Sequence, residues 1–288
     1  MPVAAVYGKF LRLRVVLESS TSLLAKTMDA SEAEAAAQMI WGVWSAGEVI
    51  PELPEGCRPM NDAEGHQVQT ALARIARQDT AGWKIAATSK AGQQHINVSG
   101  PLAGRILAKF VRPDGAELDL SSNRMRVMEA EFVFRFWKNI PVQQDPYSPA
   151  EVLEAVDQLQ LGIEIPDSRY IDFTQVDAPQ LLADNACASW MILGPEVNVE
   201  WRGRDLAEHE VRVTKNGGEV AVGRGRNVLE GPLKALTWLV NDLRRRGQML
   251  YRHQFVTTGT CVTPVPIAPG DALVADFSEF GQARVVFS

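Results

Sequence analysis

The sequence predicts an α+β fold, in which a helical N-terminal part is followed by a β-rich core. Ala-rich helical sequence is concentrated in the first 80 residues, and the later segments are mostly short runs of alternating apolar and polar residues. Few helices separate these runs, which argues against a doubly wound parallel sheet. We therefore divide the chain into an N-terminal extension (1–27), a helical part (28–80) and the β-rich core (81–288).

The composition is that of an ordinary globular chain. Of the 288 residues, 46% are hydrophobic and 22% are charged, which excludes disorder as the main state and allows a substantial buried core. The net charge is −6, so a generally basic nucleic-acid coat is excluded. No apolar run approaches the ~18 residues of a membrane-spanning helix. We expect neither nucleic acid nor a membrane as a partner.

The N-terminal extension is basic. Residues 1–27 carry four lysines and arginines against one acid, and Lys9 and Arg12 interrupt any apolar core of a signal peptide. We expect this segment to be disordered or not native, with Met28 as the natural start, and to add little to the fold. The alternative is a targeting segment.

Two helices are predicted in the helical part. Residues 30–47 are rich in alanine, which favours a helix. A proline-rich loop follows, and Asp62 is expected to cap a second helix that runs to about Gln78. The apolar side chains of Val68, Leu72 and Ile75 would share one face of that helix.

The core begins with strand signals and one helix signal. Residues 126–136 alternate with period two, so Met128 and Phe132 share one face while Glu129 and Glu131 share the other. Residues 148–151 form a capping box with proline at the first helical position, which predicts a helix to about Gln160. A short strand is expected over residues 161–165.

The C-terminal third is also predicted to contain mostly strands, with one helix. Residues 211–222 read as a hairpin that turns at Asn216-Gly217. Pro232 is expected to open a helix that ends at Gly247, and two strands, 273–277 and 284–287, are predicted around Gly281.

Three glutamates in apolar surroundings are the first candidate for chemistry. Glu129 and Glu131 point to the same face of the predicted strand, and Glu164 lies within Leu-Gly-Ile-Glu-Ile. Like charges placed in this way repel unless a cation lies between them, and carboxylate oxygens are the ligands that a hard cation such as Mg²⁺ prefers. The alternatives are a solvated face or a cross-strand ion pair with a residue such as Arg126.

A lysine in an apolar segment is the second candidate. Lys84 lies within Gly-Trp-Lys-Ile-Ala, where its side chain either reaches solvent or is buried for chemistry. Burial would lower the pKa of the amine and make it a usable acid or base near neutral pH. On this segment alone, the solvent-reaching interpretation is favoured.

Two small polar clusters, residues 184–187 and 257–260, lie between apolar segments and could line a pocket or form turns. A catalytic thiol at Cys187 would lack an obvious partner. The three cysteines lie far apart, which argues against a disulfide framework and a zinc ribbon and favours a reducing, cytoplasmic compartment. The four histidines lack the spacing of a zinc site.

Six segments occur in an order typical of one enzyme superfamily. They are residues 82–90 (GWKIAATSK), 128–131 (MEAE), 163–170 (IEIPDSRY), 182–186 (LADNA), the region 223–239, and Thr258-Gly259 followed by residues 269–271 (PGD). Together they resemble the fumarylacetoacetate hydrolase superfamily and, within it, the branch of 2-keto-4-pentenoate hydratases and 4-oxalocrotonate decarboxylases. The resemblance covers about residues 30–288 and implies a mixed, β-rich hydrolase-like catalytic core.

The resemblance also implies a site and a cofactor. Lys84 would be the catalytic lysine that helps to move a proton, and the cofactor would be Mg²⁺ or Mn²⁺. The metal ligands would be Glu129, Glu131 and Glu164. The implied substrate-binding residues are Ser89, Asp184, Asn185, Cys187, Thr258 and Gly259.

The implied function is a metal-dependent lyase acting on a small 2-oxo acid in aromatic compound catabolism. Hydration of a 2-hydroxy-2,4-dienoate is the main hypothesis. The alternatives are a 4-oxalocrotonate-type decarboxylase, a superfamily hydrolase that cleaves a carbon–carbon bond, and a non-catalytic scaffold paralogue. A homo-oligomer, up to a pentamer of dimers, and association with a pathway partner enzyme are implied by the resemblance only.

The chain departs from the branch at three positions. Hydratases of this group carry an acid in a P-D-x-G segment, where this chain has Leu102, and the decarboxylases are apolar there. Cys187 stands in place of a serine, and Gly231 stands in place of a histidine. Since leucine can neither orient water nor carry a proton, these differences bear on water addition more than on metal binding.

Overall fold

The computed structural model describes residues 27–288, so the predicted extension lies, except for Thr27, outside the described residues. Six α-helices lie in this part of the chain. They are α1 (Ala30–Ala46), α2 (Asp62–Ala76), α3 (Lys90–His95), α4 (Pro149–Leu153), α5 (Ala178–Ala183) and α6 (Pro232–Arg245). None of these helices has the length and apolar character needed to cross a membrane.

The same residues contain thirteen strands, numbered β1 to β13. They are β1 (Thr80–Ala86), β2 (Leu102–Leu107), β3 (Val111–Pro113), β4 (Ala116–Leu118), β5 (Val127–Phe136), β6 (Val156–Ile165), β7 (Trp190–Glu196), β8 (Glu210–Lys215), β9 (Gly218–Arg224), β10 (Phe255–Thr260), β11 (Val265–Pro266), β12 (Ala272–Asp276) and β13 (Gln282–Phe287). The predicted α+β class is confirmed.

Two mixed sheets organise the core. The larger has eight strands in the order β2-β1-β10-β5-β6-β7-β3, with β11 beside β5, and the smaller has the order β4-β13-β12-β8-β9. In the larger sheet β1 runs parallel to β10, whereas β5 and β6 form a long antiparallel pair. This pair crosses the middle of the sheet and carries all three glutamates.

The main apolar core is formed by side chains from both sheets and from α6. The face predicted to carry Met128 and Phe132 lies in this core, where these two side chains and Phe134 have no exposed surface. The ring of Phe132 meets that of Phe277, just beyond β12, edge-on at 5.2 Å between centroids. Since side chains alternate along a strand, Glu129 and Glu131 point to the opposite face.

A second apolar cluster joins α1, α2 and α5. Ile40 of α1, Leu72 of α2 and Leu181 of α5 are all completely buried in it. Because α5 comes from beyond residue 80, the helical layer uses more of the chain than its N-terminal part. The division at residue 80 stays a prediction.

The predicted helix bounds are confirmed at α1 and α6 and corrected at α2. Gly247 follows α6 with φ of 66°, the left-handed conformation expected of a helix-ending glycine. The cap of α2 is Asn61 rather than Asp62, because Asn61 has the extended backbone that lets its side chain accept the amide of Glu64. The hairpin turn is confirmed, with positive φ at Asn216 and Gly217.

The helix predicted from residue 148 to about Gln160 is wrong beyond its first turn. The capping box is present, but α4 ends at Leu153, and Val156–Ile165 form one long strand, β6. This strand pairs with β5 from Val156 to Glu164. Its apolar side chains are buried by that pairing, so tertiary packing outweighs the local helix signal.

Candidate metal and substrate site

Three glutamates converge where β5 pairs with β6. Glu129 and Glu164 are direct cross-strand partners, and Glu131 lies two residues further along β5. Each offers a carboxylate oxygen, and these three oxygens lie within 4.8 Å of one another. A single cation placed among them could contact all three side chains.

The two alternatives for these glutamates are wrong. A solvated face is excluded because Glu131 and Glu164 are 0% and 1% exposed and the partly buried Glu129 faces the cavity. An ion pair with Arg126 is excluded because its guanidinium donates to the carbonyl of Asn123 instead.

Several carboxylate oxygens of this cluster lack hydrogen-bond donors. One oxygen of Glu131 accepts from the Thr257 hydroxyl and, at 2.7 Å, from the Gly259 amide. The other oxygen of Glu131 and both oxygens of Glu164 have no hydrogen-bond partner within the described structure. Unsatisfied buried carboxylates are costly, so these oxygens are suited to a ligand that carries positive charge.

The pKa values of the cluster also indicate a site for a positively charged ligand. Burial, followed by repulsion from Glu164, raises the pKa of Glu129 to about 7. Burial and the two neighbouring carboxylates also raise the pKa of Glu131 well above its ordinary value. Three hard oxygen donors without sulfur or imidazole fit a cation such as Mg²⁺ or Mn²⁺.

Lys84 on β1 is buried beside the cluster, so the solvent-reaching interpretation is wrong. Its Nζ donates to the carbonyl oxygen of Ala186 at 3.0 Å and lies 3.2 Å from Oε1 of Glu164, an ion pair without hydrogen-bond geometry. Burial is the largest single influence on the amine and lowers its pKa, but Glu164, Glu129 and the other nearby acidic groups together raise it more, so the net pKa is above the ordinary value. With these protein side chains alone, the expectation of a lowered pKa is therefore wrong.

The carbonyl of Ala186 reaches Lys84 because of an unusual backbone. Asn185, Ala186 and Cys187 have φ values of 52°, 51° and 61°, the left-handed region that costs roughly 1–2 kcal/mol for a residue such as Ala186 or Cys187 and less for asparagine. Such backbone persists only where its surroundings hold it in place. On one side the fit depends on Gly104 of β2, where a Cβ atom would lie 2.0 Å from the carbonyl of Asn185.

Arg169 holds this strained segment from the other side. Its guanidinium donates to a carboxylate oxygen and the carbonyl of Asp184, and to the carbonyls of Asp167 and Ala188 at 2.7 and 2.9 Å. It also stacks over Trp44 at 4.0 Å. Buried Arg169 thus binds the residues on both sides of segment 185–187, which positions the Ala186 carbonyl against Lys84.

A cavity of about 700 Å³ opens next to the cluster. Of the residues predicted for the site, Lys84, Ser89, Glu129 and Cys187 line it. Ser89 also caps α3 by accepting the amide of Gly92. The Cys187 thiol has a pKa raised to about 12, first by burial and then by Asp184, so it is protonated at neutral pH and unsuited to act as a nucleophile.

The other predicted substrate-binding residues are not among the lining residues of the cavity. Asp184 is completely buried and pairs with Arg169 and the Ser168 hydroxyl. The Thr258 hydroxyl donates to the carbonyl of Phe132 at 3.2 Å, and Gly259 contributes its amide to Glu131. Asn185 lies in the strained segment that meets Lys84, where its side-chain oxygen lies 3.4 Å from the amide of Arg105.

Two side chains of the candidate site were not among the residues predicted for it. Thr257, not Thr258, donates to Glu131, and strand alternation within β10 could have placed Thr257 on the face of Lys84, its partner in the sheet. Arg169 was part of a quoted motif, but no local signal says that it binds Asp184, fifteen residues later.

No protein-family model matches the chain. The chain is 31% identical to the 4-oxalocrotonate decarboxylase of Pseudomonas sp. (strain CF600) over 232 residues, which are 79% of this chain and 86% of that protein. It is 27% identical to the 2-keto-4-pentenoate hydratase of Paraburkholderia phymatum over 264 residues, which are 90% of this chain and 99% of that protein. The solved structure of 4-oxalocrotonate decarboxylase from Pseudomonas putida G7, complexed with magnesium and adipate, is similar with a TM-score of 0.83 and 28% identity, and the match covers 91% of this chain and 100% of that one.

The shared fold places the chain in one structural class with 4-oxalocrotonate decarboxylase, an enzyme that has been solved with a bound metal ion. Within that class, the chain belongs to the family that contains the 4-oxalocrotonate decarboxylases and the 2-keto-4-pentenoate hydratases. The branch predicted from the six motifs is confirmed.

Proposed function

We propose that the protein is a divalent-metal-dependent hydratase of 2-hydroxy-2,4-dienoates. The observation that carries the proposal is the cluster of three carboxylates, largely without hydrogen-bond donors, next to buried Lys84 at a cavity. Relatives named as hydratases of such substrates align over most of the chain. The substrate class would be a small 2-oxo acid or its 2-hydroxydienoate tautomer.

The cofactor that we propose is Mg²⁺ or Mn²⁺, held by Glu129, Glu131 and Glu164. When bound, the ion supplies positive charge that stabilises negative charge developing on the 2-oxygen of the substrate. The hydroxyl of Thr257 and the amide of Gly259 hold one oxygen of Glu131, which leaves its second oxygen free to coordinate. A similar decarboxylase has been solved with magnesium and with calcium, which supports a hard divalent ion in this family.

Lys84 is the residue that we assign to proton transfer. The neighbouring carboxylates raise the pKa of its amine and so favour the charged form. Neutralisation of those carboxylates would remove this support and leave the desolvation of a buried amine, which makes the proton easier to release. The carbonyl of Ala186 would keep Nζ at the wall of the cavity throughout, because its hydrogen bond does not depend on the charge of the carboxylates.

Decarboxylation is the second candidate, and one residue favours it. Leu102 is 6% exposed and lines the cavity at the position where hydratases of this branch carry an acid. An apolar side chain there cannot help to add water, whereas loss of CO₂ needs no acid at that place. The scaffold paralogue is less well supported, because Lys84 and all three glutamates are present and converge.

The deciding experiment follows two products in one assay. The purified protein is incubated with 2-hydroxypenta-2,4-dienoate or with 4-oxalocrotonate, in Mg²⁺, Mn²⁺ or EDTA, while dienol absorbance and released CO₂ are recorded. Metal-dependent loss of the dienol without CO₂ supports the hydratase. Metal-dependent CO₂ release assigns the decarboxylase. An inactive protein that still associates with a partner enzyme supports the scaffold.

A matched pair of variants controls this assay. Glu131→Gln should abolish metal-dependent turnover, whereas Glu117→Gln, on the exposed face of β4, should leave it unchanged. Full activity of Glu131→Gln in chelated buffer would refute the metal hypothesis.

We further propose, from family membership, that the protein is cytoplasmic, forms a homo-oligomer and acts in an aromatic catabolic pathway. Light scattering of the purified protein, alone and with a partner enzyme, tests the assembly.

A further inference from the structure

The cavity is larger than the simplest substrate of the proposed reaction requires. Its volume is about 700 Å³. Cavities of roughly 300–1,000 Å³ commonly enclose drug-sized ligands. A five-carbon dienoate with its carboxylate at the glutamate cluster would therefore leave much of this space empty.

Among the described residues, the rest of the cavity offers a second carboxylate no lysine or arginine, only hydroxyl and amide donors such as Ser89, Thr174 and Asn227. Lys84 is the one lysine of this lining, and its amine already faces Glu164. Two basic residues are neighbours of lining residues in the sequence, and each makes a hydrogen bond of its own. Lys90 donates to the side-chain oxygen of Gln93, and Arg126 donates to the carbonyl of Asn123. His95 lines the cavity from an exposed position, with its ring edge-on to Phe173 at 5.9 Å. A distal carboxylate would lose water without gaining a buried cation, which is unfavourable.

Part of the cavity lining is apolar and forms what we call the apolar wall. Eight lining residues belong to or pack against the apolar cluster that joins α1, α2 and α5, and five of them have large apolar side chains. These five are Ile96, Leu102, Met125, Phe173 and Leu181. Leu102 is thus part of a hydrophobic surface, which gives a physical reason for an apolar residue at this position.

We infer that the substrate carries a single carboxylate, bound through the metal ion that the three glutamates would hold, and beyond its diene an uncharged hydrophobic group that lies against this apolar wall. The inference rests on the proposed function and names its substrate class. Each methylene group buried against the wall should raise kcat/KM by roughly threefold or more, because burial removes apolar surface from water.

A substrate series tests the inference. We would measure Mg²⁺-dependent kcat/KM for 2-hydroxy-2,4-dienoates that carry hydrogen, methyl, propyl, phenyl or carboxylate at C5. The expected result is a rise from hydrogen to propyl, tolerance of phenyl, and a value for the carboxylate at least tenfold below that for propyl. A flat series, or a preference for the carboxylate, would overturn the inference.

Variants of the wall give the converse test. Ile96→Lys at the end of α3, and Met125→Lys from a different segment, each place an ammonium group at a partly exposed position of the lining. Each variant should raise kcat/KM for the C5-carboxylate by at least tenfold and lower it for the propyl compound. Ile171→Lys, which is 68% exposed and outside the lining, is the matched control and should change neither. Wall variants that fold but keep the original preference would count against the inference.

A binding measurement separates this inference from the proposed function. Titration calorimetry with 2-oxohexanoate and 2-oxoadipate, with and without Mg²⁺, does not depend on turnover. Tighter Mg²⁺-dependent binding of 2-oxohexanoate supports the inference. Turnover of the five-carbon dienoate together with tighter binding of 2-oxoadipate overturns the inference alone. Absence of both turnover and Mg²⁺-dependent binding overturns the proposed function, and the inference with it.

Discussion

Glu129 and Glu164 are direct partners across β5 and β6, so two carboxylates face each other in the middle of a buried sheet. Like charges at directly opposed positions destabilise a sheet. Here the third carboxylate of Glu131 adds to the repulsion, and a single lysine opposes it. The protein side chains alone therefore leave an excess of negative charge that a bound cation would neutralise.

Divalent ions should stabilise the protein. A ligand present at a hundred times its Kd adds about 2.7 kcal/mol to the free energy of unfolding, which for a chain of this size corresponds to a rise of roughly 5–10 °C in Tm. We expect this rise with Mg²⁺ or Mn²⁺, relative to EDTA, in differential scanning fluorimetry. Glu131→Gln should raise the Tm in EDTA and lose most of the metal effect, and Glu117→Gln should behave as wild type. A wild-type Tm that is the same in Mg²⁺ and EDTA would contradict the metal site.

Lys84→Met should separate catalysis from folding. Loss of a group that transfers a proton typically lowers the rate by 10²–10⁴-fold, and we expect kcat to fall by about this factor. Because the carboxylates lose their counter-charge, the Tm in EDTA should also fall, and Mg²⁺ should recover most of it. Lys90→Met, at the exposed start of α3, is the control. Retention of near-wild-type kcat by Lys84→Met would remove Lys84 from the mechanism.

Arg169→Lys should loosen the segment that holds the partner of Lys84. Lysine keeps the charge but cannot make the forked contacts of a guanidinium. Disruption of a buried ion pair costs about 3–5 kcal/mol, so urea unfolding should show a loss of up to this size. kcat should fall more than KM rises, because Nζ of Lys84 would lose its fixed partner. Arg212→Lys, in an exposed ion pair, should stay within about 0.5 kcal/mol of wild type, and a similarly small effect at Arg169 would speak against its positioning role.

His66 should make the protein less stable as the pH falls below about 6.5. Its Nδ1 accepts a hydrogen bond from Arg246 at 2.8 Å, and burial, followed by Arg246 and Arg105, lowers its pKa to about 3. The unfolded chain takes up a proton near pH 6.5, whereas the folded protein does not until about pH 3. The contribution is therefore complete above pH 6.5 and is lost as the pH falls, by about 1 kcal/mol per pH unit.

The His66 prediction is measured as a difference between variants. His66→Gln keeps an acceptor for Arg246 but cannot take up the proton. Urea unfolding at pH 7.5 and 5.5 should show a smaller loss of stability in this variant than in wild type or in His253→Gln, which changes an exposed histidine. Parallel pH profiles for all three proteins would exclude His66 as the cause.

Leu102→Asp tests what the apolar position does. An aspartate there would restore the acid that hydratases of this branch carry, so hydration of the five-carbon dienoate should rise. The same change puts a polar group into the apolar wall, and kcat/KM for substrates with a hydrophobic C5 group should fall. Leu102→Asn is the control, because asparagine has the shape of aspartate but no acidic group. Equal hydration rates in both variants would argue against an acid-dependent water step.

Much of the local structure was predictable because it depends on residues close together in the chain. The alternation in β5 needs only ten consecutive residues, the capping box of α4 needs four, and the turn at Asn216-Gly217 needs two with positive φ. The β6 strand was mistaken for a helix over its first half, because the helix signal at Ser148 is local whereas the partner strand is not.

The sequence by itself determined that Glu129 and Glu131 share one face of a strand, and the order of six motifs determined the family. Only the tertiary structure decided that Glu164 lies opposite Glu129 and that Lys84 is buried with a raised pKa. It also decided that Asp184 forms an ion pair with Arg169 and does not line the cavity. The reason is physical. Side-chain direction follows from backbone geometry within a few residues, whereas strand register, burial and charge pairing depend on packing between segments that are distant along the chain.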